Sequence, residues 1–210
     1  MKKRLFDECR NHPAFRPLSG LKHVALDLRY AGPHNFTGRD LYGGEREAWL
    51  RVEAAEALAH AARRLEAQRP AWKLRIFDAT RPHCVQVELY AQVQGTPRQA
   101  YVADPAHGSV HSYGYAVDLS LQDEAGREAD LGTAFDSFEE LAQPQLEQAI
   151  FQQGRLNAEQ LGLRRLLRSV MEAEGFRVHP MEWWHFELRS LAELRREGFQ
   201  RVEGLFTGPD

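Results

Sequence analysis

The sequence predicts an α+β domain in which helices pack on a mostly antiparallel sheet. Three observations carry that expectation. Two long segments, 45–68 and 157–175, repeat apolar residues at helical spacing. Several short segments alternate apolar and polar residues, as strands do. Helices and strands do not alternate regularly, as a parallel sheet built from βαβ units would require.

The first forty residues are rich in Pro, Gly and His and read as irregular, apart from a short strand near residues 22–30. The first twenty read as an N-terminal extension. From 45 to 68, Val52, Ala55, Leu58, Ala59, Ala62 and Leu65 recur at three- and four-residue steps, and Pro70 ends the helix. Trp72, Leu74 and Ile76 alternate with polar neighbours as a strand. A second helix is expected after Pro82, to about Gln94. The clearest strand runs from 115 to 121: Tyr115, Val117, Leu119 and Leu121 share one face, and Asp118 lies on the other. Some helix is expected around 137–153. Asn157 with Gln160 forms a capping box that opens a helix carrying Leu163, Leu166, Leu167, Val170 and Met171, and Gly175 stops it. A strand is expected at 185–188. Ser190 with Glu193 forms a second capping box before a short terminal helix.

A chain of 210 residues can bury a substantial core, and we take it as one domain over residues 1–210. The hydrophobic fraction of 43% and charged fraction of 27% are ordinary for a globular protein. A net charge of −3 gives no reason to expect nucleic acid or an anionic membrane as partner. No apolar run is long enough to cross a bilayer. The start, Met1-Lys2-Lys3-Arg4, is basic like a signal peptide, but Asp7, Glu8, Arg10 and Asn11 stand where an apolar stretch is needed, so a cytoplasmic protein is expected. Cys9 and Cys84 form neither a disulfide framework nor a CxxC site. A homo-oligomer is compatible with the sequence, and nothing in it sets the oligomeric state.

Three segments carry chemistry. In His111-Ser-Tyr-Gly-Tyr-Ala-Val-Asp118, an imidazole in a turn and a carboxylate on a strand are both good zinc ligands, and Gly114 lets the turn fold back so that they converge. In Met181-Glu-Trp-Trp-His-Phe-Glu-Leu188, Glu182 and His185 are embedded among aromatic residues. Burying them unpartnered costs several kcal/mol, about 2–7 for a neutral polar group and more for a charge, which a metal would offset. His111, Asp118 and His185 together would leave one metal position open for water, as catalytic zinc sites do. Glu182 lies three positions before His185, so a regular strand would point them oppositely. Glu182 is therefore expected in a bend before the strand. Asp78-Ala-Thr-Arg81-Pro82 closes a predicted strand with a permanent cation able to bond a carbonyl oxygen or an oxyanion. Taken singly, each segment also suits a solvated surface. His179 reads as bordering the site, and the other histidines show no partner pattern.

In this order, the segments resemble the D-alanyl-D-alanine dipeptidases of the VanX type, zinc peptidases of family M15. The likeness extends to Tyr30 with Asn35-Phe-Thr-Gly38, Ile76-Phe-Asp-Ala-Thr-Arg-Pro82, Ser109 to Leu119, Leu131-Gly-Thr-Ala-Phe-Asp136, Arg164 to Glu172, and Glu182-Trp-Trp-His185. The resemblance implies the zinc-binding fold shared by hedgehog domains and DD-peptidases, with one Zn2+ per chain. It implies His111, Asp118 and His185 as metal ligands, Glu182 as general base and Arg81 as transition-state stabiliser. It also implies Ser109, Asp136 and Tyr30 as substrate-binding residues, with Asp78 supporting Arg81. The implied reaction is hydrolysis of free D-Ala-D-Ala, a small dipeptide. The alternatives are a zinc D,D-carboxypeptidase or peptidoglycan endopeptidase of the same fold, and a non-catalytic zinc module of the hedgehog kind. Retention of both Glu182 and Arg81 argues against the last. Thr80 and Tyr113 stand where the family usually has Tyr and Arg, and the stretch before Ser109 is shorter than in the resistance enzymes.

Overall fold

A computed structural model describes residues 5–204. The basic start, residues 1–4, lies outside them. The elements are α1 (Asp7–Arg10), β1 (Phe15–Pro17), β2 (Val24–Leu26), β3 (Trp49–Arg51), α2 (Val52–Gln68), β4 (Lys73–Asp78), α3 (His83–Val93), β5 (Ala116–Gln122), α4 (Glu147–Gln152), α5 (Ala158–Glu172), β6 (Arg177–His179), β7 (Glu182–Glu187) and α6 (Leu191–Arg196). The main sheet has five strands in the order β2-β4-β5-β7-β6. The β2–β4 pair is parallel and the other pairs are antiparallel. This is the α+β arrangement the sequence predicts.

The two long helices bury the stripes that define them. In α2, Ala54, Leu58, Ala61, Ala62 and Leu65 are inaccessible to solvent, as are Leu167, Val170 and Met171 in α5. The helices touch each other; α2 also packs on β4, and α5 on β5 and β6. Both predicted capping boxes form: Asn157 with Gln160 opens α5, and Ser190 with Glu193 opens α6.

Four expectations need correction. The helix expected from residue 45 begins at Val52, because Ala48, Trp49 and Leu50 are buried in succession and β3 pairs with β1. The segment read as an extension is packed, with Phe6, Cys9 and Leu18 in the core. The helix expected around 137–153 is broken into short 3-10 turns before α4, since Pro144 offers no backbone N–H. The last strand begins at Glu182 rather than at 185. Among the described residues no helix is long and apolar enough to cross a membrane.

Candidate active site

A row of polar side chains crosses three adjacent strands. Asp118 of β5 stands opposite Asp78 of β4 on one side and His185 of β7 on the other. A bulge makes the first pairing. Ile76 pairs with Leu119, but one step on the register shifts and Asp78 meets Asp118. In a regular strand Asp78 would share a face with Ile76; the extra residue turns it to the opposite face. Asp118 itself is almost wholly buried, which excludes the solvated reading of its strand position. His111 reaches the same spot from a 3-10 turn, Val110–Tyr113, that ends on Gly114 at φ 77°. A Cβ on Gly114 would lie 2.8 Å from the Phe15 ring, so only glycine fits there.

The donor chemistry of this cluster suits a cation. His111 Nδ1 lies 2.7 Å from the Ala79 carbonyl, which can only accept, so Nε2 keeps its lone pair. His185 Nε2 lies 3.1 Å from the Glu187 carboxylate. That leaves His185 Nδ1 facing inward, 3.1 Å from His111 Nε2 and 3.0 Å from Asp118 Oδ1. Three acceptors converge, and something positive must lie between them. A proton is one answer: burial disfavours the imidazolium of His185, but hydrogen bonds to Asp118 and Glu187 outweigh it and raise the pKa to about 10. A divalent metal is the other, and the ligand atoms of His111, Asp118 and His185 all lie within 4.8 Å of one another. Burial also opposes ionisation of Asp118, yet the two histidines hold it well below the usual carboxylate range. Four carboxyl groups, those of Asp118, Asp136, Glu182 and Glu187, line the cavity here with Asp78 bonded to Arg81, and Arg81 is the one permanent cation among the lining residues.

Arg81 is held on every side. Its Nε donates to Asp78 Oδ2 at 2.8 Å, Nη1 to Gln86 at 3.0 Å and Nη2 to Asp118 Oδ2 at 3.3 Å. Asp78 also accepts from the Tyr42 hydroxyl at 2.6 Å, and the Tyr30 ring lies 5.0 Å from the guanidinium. Glu182 faces the same cavity from the first position of β7, with Oε2 3.9 Å from His185 Nδ1. The bend expected before the strand is instead an irregularity in the β6–β7 ladder, where the register slips between Val178 and His179. Burial pushes the Glu182 carboxyl up to about 7, against the pull of His185.

The cavity over this floor measures about 270 Å3. That is just under the roughly 300–1,000 Å3 of typical ligand sites, so it suits a small ligand. Tyr30, Arg81, Ser109, His111, Asp118, Asp136, Glu182 and His185 all line it. Asp78 lies just beneath Arg81. At one end the Tyr30 hydroxyl donates to both oxygens of Asp136 at 3.1 Å. Burial first, then the charge of Asp118, raises the Asp136 carboxyl well above its ordinary value. Its backbone has φ 61°, the left-handed region that a non-glycine residue adopts only when its surroundings enforce it. The enforcement is visible: Arg164 Nε donates to the Leu131 carbonyl at 2.7 Å, and Trp183 Nε1 to Thr133 Oγ1 at 2.7 Å.

The family model for peptidase M15, described as D-Ala-D-Ala dipeptidase, matches residues 15–200. This chain belongs to that family. Relatives named D-alanyl-D-alanine dipeptidase include one from Escherichia coli, 37% identical over 172 residues that cover 80% of this chain and 81% of the relative. One from Synechocystis is 32% identical over 200 residues, covering 81% of each chain. One from Enterococcus faecium is 28% identical over 186 residues, covering 79% of this chain and 86% of the relative.

M15 peptidases are metal-dependent hydrolases, and His111, Asp118 and His185 form the group here that could hold the metal. Sequence reading missed Glu187 in the cavity lining, and Gln86 and Tyr42, which bond Arg81 and Asp78 behind it. Glu187, on the same strand face as His185 and bonded to it, and Gln86, bonded to Arg81 from the next helix, are the residue types that most often meet solvent. His179 borders the cavity as expected, its ring 5.4 Å from that of His185. Burial and the neighbouring His185 lower its pKa to about 4. Cys84 does not line the cavity, and burial pushes its thiol up to about 11.

Proposed function

We propose that this chain is a zinc-dependent dipeptidase that hydrolyses free D-Ala-D-Ala. The observation that carries the reading is the convergence of three inward-facing acceptors, Glu182 and Arg81 on one small cavity that Asp136 also lines. The names of the relatives support the substrate.

His111 Nε2, Asp118 Oδ1 and His185 Nδ1 would hold the zinc, with Ala79 and Glu187 fixing the two imidazoles. A bound zinc ion supplies Lewis acidity to water and to a carbonyl oxygen. Glu182 takes the proton of the attacking water and returns it to the leaving amine as the C–N bond breaks, giving two molecules of D-alanine. A carboxyl group poised at about 7 suits both halves of that exchange. Arg81, locked by Asp78 and Gln86, presents its charge where the carbonyl oxygen becomes negative. Asp136 receives the substrate ammonium; the empty pocket favours its protonated form, and an arriving cation restores the charged one. Ser109 contributes its hydroxyl to the cavity wall.

The test is D-alanine release from D-Ala-D-Ala by the zinc-loaded protein, run against N-acetyl-D-Ala-D-Ala and L,L-dipeptides. Turnover confined to the free D,D-dipeptide supports the reading. Comparable rates on the acetylated substrate would mean a carboxypeptidase, and zinc binding with no hydrolysis a non-catalytic module.

A further inference from the structure

The cavity does not stop at Asp136. A wider groove of about 960 Å3 lies beyond it, and Phe36, Tyr101, Asp136, Ser137 and Phe138 line both spaces. Side chains that face two cavities form the wall between them. The Phe138 ring stands at the centre of that wall. It meets Phe36 edge-on at 5.4 Å and Tyr101 at 5.5 Å, with interplanar angles of 80° and 83°. Three separate loops supply the three rings, and each ring is half-buried. The wall is braced from outside the inner cavity. Arg98, which lines only the groove, sits 5.0 Å from the centre of the Phe138 ring. The Tyr101 hydroxyl accepts from Gln143 Nε2 at 3.2 Å.

We propose that this aromatic wall, with Phe138 at its centre, sets the amino-terminal length limit of the substrate. The inference rests on the dipeptidase reading, which places the substrate amine at Asp136. Asp136 cannot impose the limit alone. A longer peptide would present an amide N–H there, and a carboxyl group accepts a hydrogen bond from an amide as well as from an ammonium. What a third residue cannot do is occupy the volume of the Phe138 ring. Beyond that ring there is room for it, lined by Thr133, Ser137 and Arg98. Removing the ring joins the two spaces and converts a dipeptide pocket into one open at its amine end.

The experiment compares kcat/KM for D-Ala-D-Ala and for the tripeptide L-Ala-D-Ala-D-Ala in zinc-loaded wild type, Phe138→Ala, Phe138→Leu and Asp136→Asn. Wild type should cleave the dipeptide and leave the tripeptide nearly untouched. In Phe138→Ala the tripeptide-to-dipeptide ratio should rise about tenfold or more, the scale at which a lost pocket contact changes discrimination. The dipeptide rate itself should fall, because the wall also keeps water out. Phe138→Leu should give a smaller rise and keeps the test valid where the alanine variant fails to fold. Asp136→Asn, with its wall intact, should weaken dipeptide turnover without admitting the tripeptide. Dipeptide turnover with no gain on the tripeptide in either Phe138 variant overturns the inference alone. A wild type that cleaves both substrates equally would be a carboxypeptidase, which overturns the dipeptidase reading and this inference together. A wild type inactive on D-Ala-D-Ala overturns the dipeptidase reading and this inference with it.

Discussion

The floor of the cavity and its rim are built on different principles. Asp78, Asp118 and His185 sit on three hydrogen-bonded strands, buried and tied to one another and to Arg81. Tyr30, Ser109, Asp136 and Phe138 sit on connecting segments, and Asp136 and Phe138 are half-buried. On the floor each polar group is fixed by at least one other, so its geometry is set before any ligand arrives. On the rim, position depends on a few loop contacts. Changing such a loop alters what is bound without disturbing the strands. On the proposed function, the difference separates the chemistry from the choice of substrate.

The largest expected loss is on the floor. Glu182→Gln keeps the size of the side chain and removes its proton-accepting charge, so turnover should drop by roughly 10²–10⁴-fold. Metal content, read by elemental analysis, should stay at wild-type level; a variant that also loses zinc would make Glu182 a ligand. Arg81→Ala should lower kcat by about 10²–10³-fold and change KM far less, because the oxyanion forms only in the transition state. A pure KM effect would move Arg81 to the rim as a carboxylate-binding residue.

The rim should respond in KM and in stability. Asp136→Asn should raise KM for free dipeptides about tenfold and shrink the penalty for N-acetylation. It should also stabilise the substrate-free protein, with a defined pH dependence. The folded-state pKa of Asp136 is raised, so the group is neutral in both states at low pH, and its cost to stability builds up as pH rises from the ordinary carboxyl range of the unfolded chain to the higher folded value, above which it stays constant. The variant should therefore gain Tm at pH 8 and little at pH 4, by about 2–4 °C for each kcal/mol relieved. An equal gain at both pH values would disconnect the effect from ionisation. The smallest effect is expected from Thr133→Val, which strands the Trp183 indole N–H at a cost of about 1–3 kcal/mol. KM should rise a few-fold while kcat holds. A fall in kcat instead would show that floor and rim are coupled through β7.

The group that could hold a metal was legible because each motif is local and chemically specific. His111 and Asp118 are separated by one turn and part of a strand, and Gly114 marks the reversal between them. Glu182 and His185 stood out as charged and titratable groups among aromatic residues. Glu187 was in plain view two residues after His185 and still carried no signal, since a carboxylate on a strand end is usually solvated. The structure shows it bonded to His185, its neighbour two positions back on the same strand face. Gln86 carries no mark in the sequence beyond its place in the helix after Pro82, and it bonds Arg81 on one side and the Ala103 carbonyl on the other.

By itself the sequence determined the two long helices, the longer strands and the chemical types. Periodicity fixed α2 and α5, the two capping boxes fixed the starts of α5 and α6, and three short motifs supplied imidazoles, carboxylates and a guanidinium. These depend on neighbours within about one helical turn or one strand, which a linear pattern records. Tertiary structure alone decided which polar groups face each other. The bulge after Ile76 turned Asp78 toward Asp118, and the slip at His179 let Glu182 share a cavity with His185. A shift of one residue in strand register reverses every side chain beyond it. Such shifts are set by the packing of whole strands and helices, so no local pattern in the chain announces them. The same holds for the wall at Phe138, where three loops far apart in sequence are brought together by the sheet and helices beneath them.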